Sequence, residues 1–97
     1  MMDNLSFNYN LDALDLVELR RVDRITREEI IYVFEKESFR LRTESGPKLG
    51  DTIWIKTEYS IKRRIILVAF IFDGDTIFFI GAKVADQDEI DKYYCGQ

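Results

Sequence analysis

The chain has 97 residues, of which 46% are hydrophobic and 33% charged, and its net charge is −4 at neutral pH. That hydrophobic share excludes a disordered polyanion, and the length fits a single domain, 1–97, around one core. The acidic balance excludes broad electrostatic capture of nucleic acid, which needs basic surface to displace counterions, but leaves room for a local basic site. There is no histidine and one cysteine, Cys95. An intrachain disulfide and His-based triads are therefore excluded, and a general base must be another residue type. Calcium-loop, Walker, GxGxxG and CxxC patterns are missing, so no metal and no cofactor is expected. With no signal peptide and no apolar run of about 18 residues, the expected location is cytoplasmic, away from the membrane.

In chain order, "SFNYN" alternates Phe7 and Tyr9 with polar residues and predicts a short strand. Asn10 is expected to cap a helix over "LDALDLVELRR", where Leu11, Leu14 and Val17 fall at helical spacing. "TREEIIYVFEKE" carries a capping box: Thr26 accepts from the Glu29 backbone N–H and Glu29 reaches back. Ile30, Ile31, Val33 and Phe34 then face inward. Phe39–Arg42 alternates and reads as an edge strand. "TESGPKLG", Thr43 to Gly50, holds the sole proline and reads as a surface loop.

The second half reads as strands. "DTIWIKTEY" places Ile53, Ile55 and Thr57 on one face, and Trp54, Lys56 and Glu58 on the other. "RRIILVAFIF" is apolar on both faces, as befits a covered central strand. Asp73-Gly74 fits a two-residue type I′ turn, and "TIFFIGAK" is the return strand. Asp86 caps a last helix, with Glu89 at its third position and Lys92 near its C-terminal end. The class is α+β: a short N-terminal strand, two helices, a three- to four-stranded antiparallel sheet and a C-terminal helix.

With Asp73 and Gly74 as the loop, counting outward sets Arg64 opposite Lys83. Like charges so placed repel unless they splay into water, meet acids such as Glu58, Asp86 or Glu89, or hold an anion. Gly81 leaves space on the same strand, and Lys56 and Lys62 are expected nearby. A solvated strand end is the plain reading. A phosphate-holding cleft is the functional one. Trp54 is expected to pack between sheet and helix, with stacking on a base as the alternative. Tyr93 either staples the last helix to the core or serves in proton transfer.

Four stretches carry a family resemblance. "FNYN" resembles an opening Phe-x-Trp-Asp, and "EEIIYVF" a Glu-Glu-Ala-x-x-Val-Phe helix. "KRRIILVAFIFDGDTIFFIGAK" resembles a Gly-Arg-apolar strand, turn and return strand. "GAKVADQDEIDKYY" resembles a closing Ser-Ala-Arg-x-Ala-Thr-x-x-Glu-x-x-x-Tyr. Together they resemble the BrnT-type toxins, RelE-like ribonucleases of type II toxin–antitoxin systems. The resemblance implies a RelE-like fold and metal-independent RNA cleavage, in which the 2′-hydroxyl of the RNA attacks. It also implies an antitoxin, with a ribbon-helix-helix or similar DNA-binding domain, over the basic face. The family's two basic positions fall on Arg64 and Lys83 and its closing Tyr on Tyr93, which gives a catalytic set of Arg64, Lys83 and Tyr93. Lys56, Lys62 and Arg63 form the RNA-binding set. The chain departs from the pattern at "VDR", Val22 to Arg24, where the family has Lys-His-Gly; at Lys83, where it has Arg; and at Asp86, where it has Thr. The missing histidine, the acidic balance and Asp86 favour the alternative, a non-catalytic protein-binding domain on the same scaffold. A third reading is a homodimer through the Phe39–Arg42 edge.

Overall fold

The apolar run Ile65–Asp73 forms the middle strand of a five-stranded sheet. The computed structural model describes residues 8–36, 41–46 and 52–94, with backbone alone at Ser45 and Tyr93. Its elements are β1 (Asn8–Asn10), α1 (Leu16–Asp23), α2 (Arg27–Glu35), β2 (Leu41–Ser45), β3 (Thr52–Tyr59), β4 (Ile65–Asp73), β5 (Thr76–Val84) and α3 (Gln87–Tyr94). The strand order is β1-β5-β4-β3-β2. The fold is α+β, as expected, but the sheet has five strands and is mixed. β1 joins it parallel to β5, and the other pairings are antiparallel. Among the described residues no helix is long and apolar enough to cross a membrane.

The two faces of β4 pack two different layers. Ile66, Val68 and Phe70 meet Ile25, Ile30 and Val33 of the α1–α2 side, with Ile77 and Phe79 of β5. Ile65 and Leu67 meet Ile55, Ala85 and the α3 residue Ile90 on the other side. Edge-to-face rings, Phe34 on Phe70 at 5.0 Å and on Phe79 at 5.5 Å, consolidate the larger layer. α1 has no fully buried residue and rests on the core through half-buried Leu16 and Leu19.

Local signals hold unevenly. The Asn10 side chain accepts from the Asp12 N–H at 2.9 Å, an Asx turn rather than a helix cap. The helix starts instead behind Asp15, which accepts from the Glu18 N–H at 3.0 Å. Thr26 does cap α2, accepting the Glu29 N–H at 3.2 Å, but the Glu29 side chain does not reach back. α3 has both halves of its box: Asp86 accepts from the Glu89 N–H, and Glu89 from the Asp86 N–H, each at 2.9 Å. Thr43, Glu44 and Ser45 belong to β2 and pair with β3, so the expected loop is shorter than "TESGPKLG". Phe7, Phe39, Arg40, the stretch 47–51 and Cys95 lie outside the described residues.

The β4–β5 hairpin corrects the expected register. Asp73 pairs with Thr76, so the loop is Gly74-Asp75, one residue later than expected. Gly74 sits at φ 64° and Asp75 has no positive φ, so the turn is not type I′, which needs positive φ at both residues. Further along, Phe70 pairs with Phe79 but Ala69 pairs with Gly81, leaving Ile80 as the extra residue of a bulge. Side chains alternate with period two, so one inserted residue sends every later β5 side chain to the other face. Lys83 therefore lies beside Leu67, not opposite Arg64.

Candidate functional site

The best-organised polar group on the α1–α2 side is built on Glu29. It precedes Val33 by one helical turn, so its side chain points at the sheet with that of Val33. Glu29 is fully buried. Such a carboxylate needs cationic partners, and the β3–β4 turn supplies them. Ser60 accepts the Arg63 N–H and donates its own N–H to the Arg64 carbonyl at 2.8 Å, closing the turn. The Ser60 hydroxyl donates to Glu29. Arg64 donates from Nε at 3.0 Å and from Nη2 at 2.9 Å to the two carboxylate oxygens. The Lys62 ammonium stands 3.7 Å from the same carboxylate and donates to the Arg24 carbonyl. Burial alone would raise the Glu29 carboxyl. The hydrogen bonds from Arg64 and Ser60, with the charges of Arg64 and Lys62, outweigh it and hold the group below its ordinary value.

Beside this group opens a cleft of about 410 Å³, lined by Arg20, Arg21, Arg24, Thr26 and Lys62. Seven of the fourteen lysines and arginines fall in just two stretches, Arg20–Arg27 and Lys62–Arg64. Asp23 and Glu28 are interspersed with the first of these stretches. A chain of net charge −4 thus keeps a basic end.

The expected site residues separate. Arg64 and Lys62 meet at Glu29, and Arg63 is exposed in the same turn at φ 63°. Lys83 lies on the other sheet face, 55% exposed and paired with Glu89 at 3.2 Å. The expected Arg64–Lys83 clamp is therefore not assembled: the later turn moves Lys83 off Arg64 and the Ile80 bulge sends it to the other face. Lys56, expected to contact RNA, is buried on the α2 side. Its ammonium donates to the Phe34 carbonyl at 2.7 Å and to the Lys36 carbonyl, closing the C-terminal end of α2. Tyr93 lies in α3, with its side chain outside the described residues. Its neighbour Tyr94 meets the Tyr59 hydroxyl with its own. Trp54 packs as expected, edge-on to Phe72 at 5.8 Å. β2 is an edge strand of the sheet, which places Leu41 and Arg42 of the expected dimer edge there. Among the described residues no three Asp, Glu or Cys side chains converge to hold a metal ion.

Sequence reasoning missed Glu29, Ser60, Arg20 and Arg24. Glu29 was legible as a carboxylate beside Ile30 and one turn before Val33 on the apolar face of its helix. Arg20 and Arg24 were legible as an i, i+4 pair. No local signal announced that the Ser60–Arg64 turn packs between them. Comparison with protein-family models finds no match, and comparison with curated proteins finds none.

Proposed function

We propose that the chain is a BrnT-like, RelE-like toxin-type domain that engages RNA on the α1–α2 side of its sheet. Arg64 is the cation that stabilises charge developing on the scissile phosphate, with Lys62 and Arg63 positioning the backbone. An antitoxin with a DNA-binding domain covers this basic end. The reading rests on the four resembling stretches of sequence. The single structural observation that carries it is the gathering of Arg64, Lys62, Arg24 and Arg20 at one end of an acidic chain. Arg64 is suited to the role because it is oriented and still open. Glu29 engages two of its five N–H donors, and its side chain is 29% exposed. Preorganised donors of this kind stabilise a phosphorane-like charge without reorganising. The 2′-hydroxyl of the RNA supplies the nucleophile.

The test is induced expression in a bacterial host together with RNA cleavage by purified protein in the presence of a chelator. Growth arrest and chelator-resistant cleavage, both lost in Arg64→Met with its circular dichroism unchanged, are expected. A natively folded wild type that neither arrests growth nor cuts RNA would refute the nuclease.

One observation favours a second reading, a non-catalytic protein-binding domain on the same scaffold. Arg64 and Lys83 each have an acid, Glu29 and Glu89, on opposite sheet faces. It predicts that wild type and Arg64→Met leave RNA equally intact.

A further inference from the structure

The cleft between the end of α1, the start of α2 and the β3–β4 turn gathers four cations, of which internal ion pairing accounts for two, Arg21 with Glu18 and Lys62 with Glu29. Among the described residues no acidic side chain lines it. Arg21 is engaged by Glu18 at 2.7 Å. Arg20 and Arg24 have no hydrogen-bonding or ion-pair partner for their side chains among the described residues. Complementing the dipole of α1 accounts for Arg20 and Arg21 in its last turn. Lys62 arrives from another element, held there by Glu29 and the Arg24 carbonyl, and Arg24 lies beyond the last turn of α1. Thr26 places the start of α2 on the same cleft, where first-turn N–H groups lack intrahelical partners. The volume lies within the range of about 300–1,000 Å³ typical of small-ligand clefts.

Backbone strain at the rim is an independent observation. Arg24 at φ 57° and Arg63 at φ 63° are the non-glycine residues with positive φ among the described residues. Both are arginines, and both border this cleft or adjoin Lys62. A β-carbon is disfavoured in that conformation, and helices commonly end there on Gly or Asn. The chain uses glycine for the same conformation at Gly74. At Arg24 and Arg63 it keeps a long cationic side chain against the local preference, which fits side chains that are used.

We infer that this cleft is a phosphate seat, in which Arg20, Arg24 and Lys62 hold backbone phosphates of single-stranded RNA. The inference rests on the proposed function only for RNA as the source of the phosphates. Lys62 is oriented for the task by the Arg24 carbonyl and Glu29, with donor capacity left over. The seat lies beside Arg64 and so holds the strand next to the phosphate that Arg64 engages.

The experiment compares wild type with an Arg20→Gln/Arg24→Gly double variant, using inorganic tripolyphosphate by calorimetry and a labelled single-stranded RNA by anisotropy over a salt series. Glycine at 24 relieves the strained position, so the double variant is expected to melt no lower than wild type. Tripolyphosphate affinity should fall about tenfold or more, from the loss of two charged contacts. The log–log salt slope for RNA should become shallower by about 1.4, at about 0.7 per phosphate contact on a single strand. Equal binding of both probes by wild type and variant overturns the seat, as does a wild type that ignores tripolyphosphate. Tripolyphosphate held through the cleft by a protein that binds no RNA keeps the seat and refutes the RNA reading. RNA cut by wild type and variant with equal affinity refutes the seat alone.

Discussion

The Glu29 carboxylate of α2 takes two hydrogen bonds from the Arg64 guanidinium, at 3.0 and 2.9 Å, across 35 residues of sequence. The pair ties a helix to the entrance of the central strand. It also orients the one expected catalytic cation that stands at the basic end of the molecule. Arg64→Met leaves the carboxylate its hydrogen bond from Ser60 and the nearby charge of Lys62.

Glu29→Ala removes the buried acceptor and leaves Arg64, Ser60 and Lys62 without it. Breaking such a pair from one side costs about 3 kcal/mol. Urea denaturation should show the loss as a lower midpoint at unchanged slope. The folded-state value of Glu29 is depressed below 4.5. Its contribution is therefore complete above the ordinary carboxylate value and is lost as pH falls through the depressed one. Glu29→Gln should flatten that part of the acid-unfolding profile.

The bulge at Ile80 is checked by crosslinking. In a Cys95→Ser background, cysteines at Leu67 and Lys83 occupy directly paired positions. Facing strand residues lie about 4.5–5.5 Å apart at Cα, within reach of a disulfide. This pair should oxidise readily, and a pair at Arg64 and Lys83 should not. The reverse result would restore the register with Asp73-Gly74 as the loop.

Arg63→Gly should stabilise the fold by about 1 kcal/mol, because glycine accepts φ 63° without the β-carbon penalty. The readout is the urea midpoint. A loss of stability would mean that the Arg63 side chain holds the turn together.

Lys56→Met should separate stability from binding. It leaves the Phe34 and Lys36 carbonyls without their ammonium donor, at a cost of about 1–3 kcal/mol. RNA affinity, measured by anisotropy at fixed salt, should not change. A drop in affinity in a folded variant would return Lys56 to the RNA surface.

Tyr9 should titrate late. Burial first, then its hydrogen bond to Glu35 at 2.6 Å and the charge there, push its phenol up to about 12 from 10.0. A raised value means the contribution is whole below pH 10 and is lost as pH rises through about 12. Tyrosinate absorbance should show this late step in wild type and lose it in Tyr9→Phe.

Much of the local structure was legible. Thr26 and Asp86 cap their helices because a cap involves only residues within four of each other. The apolar run of β4 announced a strand covered on both sides. The parallel seating of β1 beside β5 was not legible, since a three-residue strand carries no mark of its partner. Glu29 was assigned to its own helix cap, when its partners lie on a distant turn.

By itself the sequence determined the three helices, the long strands of the second half and the α+β class, because these follow from side-chain period and short-range hydrogen bonds. Only the tertiary structure decided which cations stand together. One extra residue in β5 carries Lys83 to the far face, since strand side chains alternate with period two. The packing of the Ser60–Arg64 turn against α2 brings Lys62 to Arg20 and Arg24, a meeting set by core geometry rather than by chain neighbours.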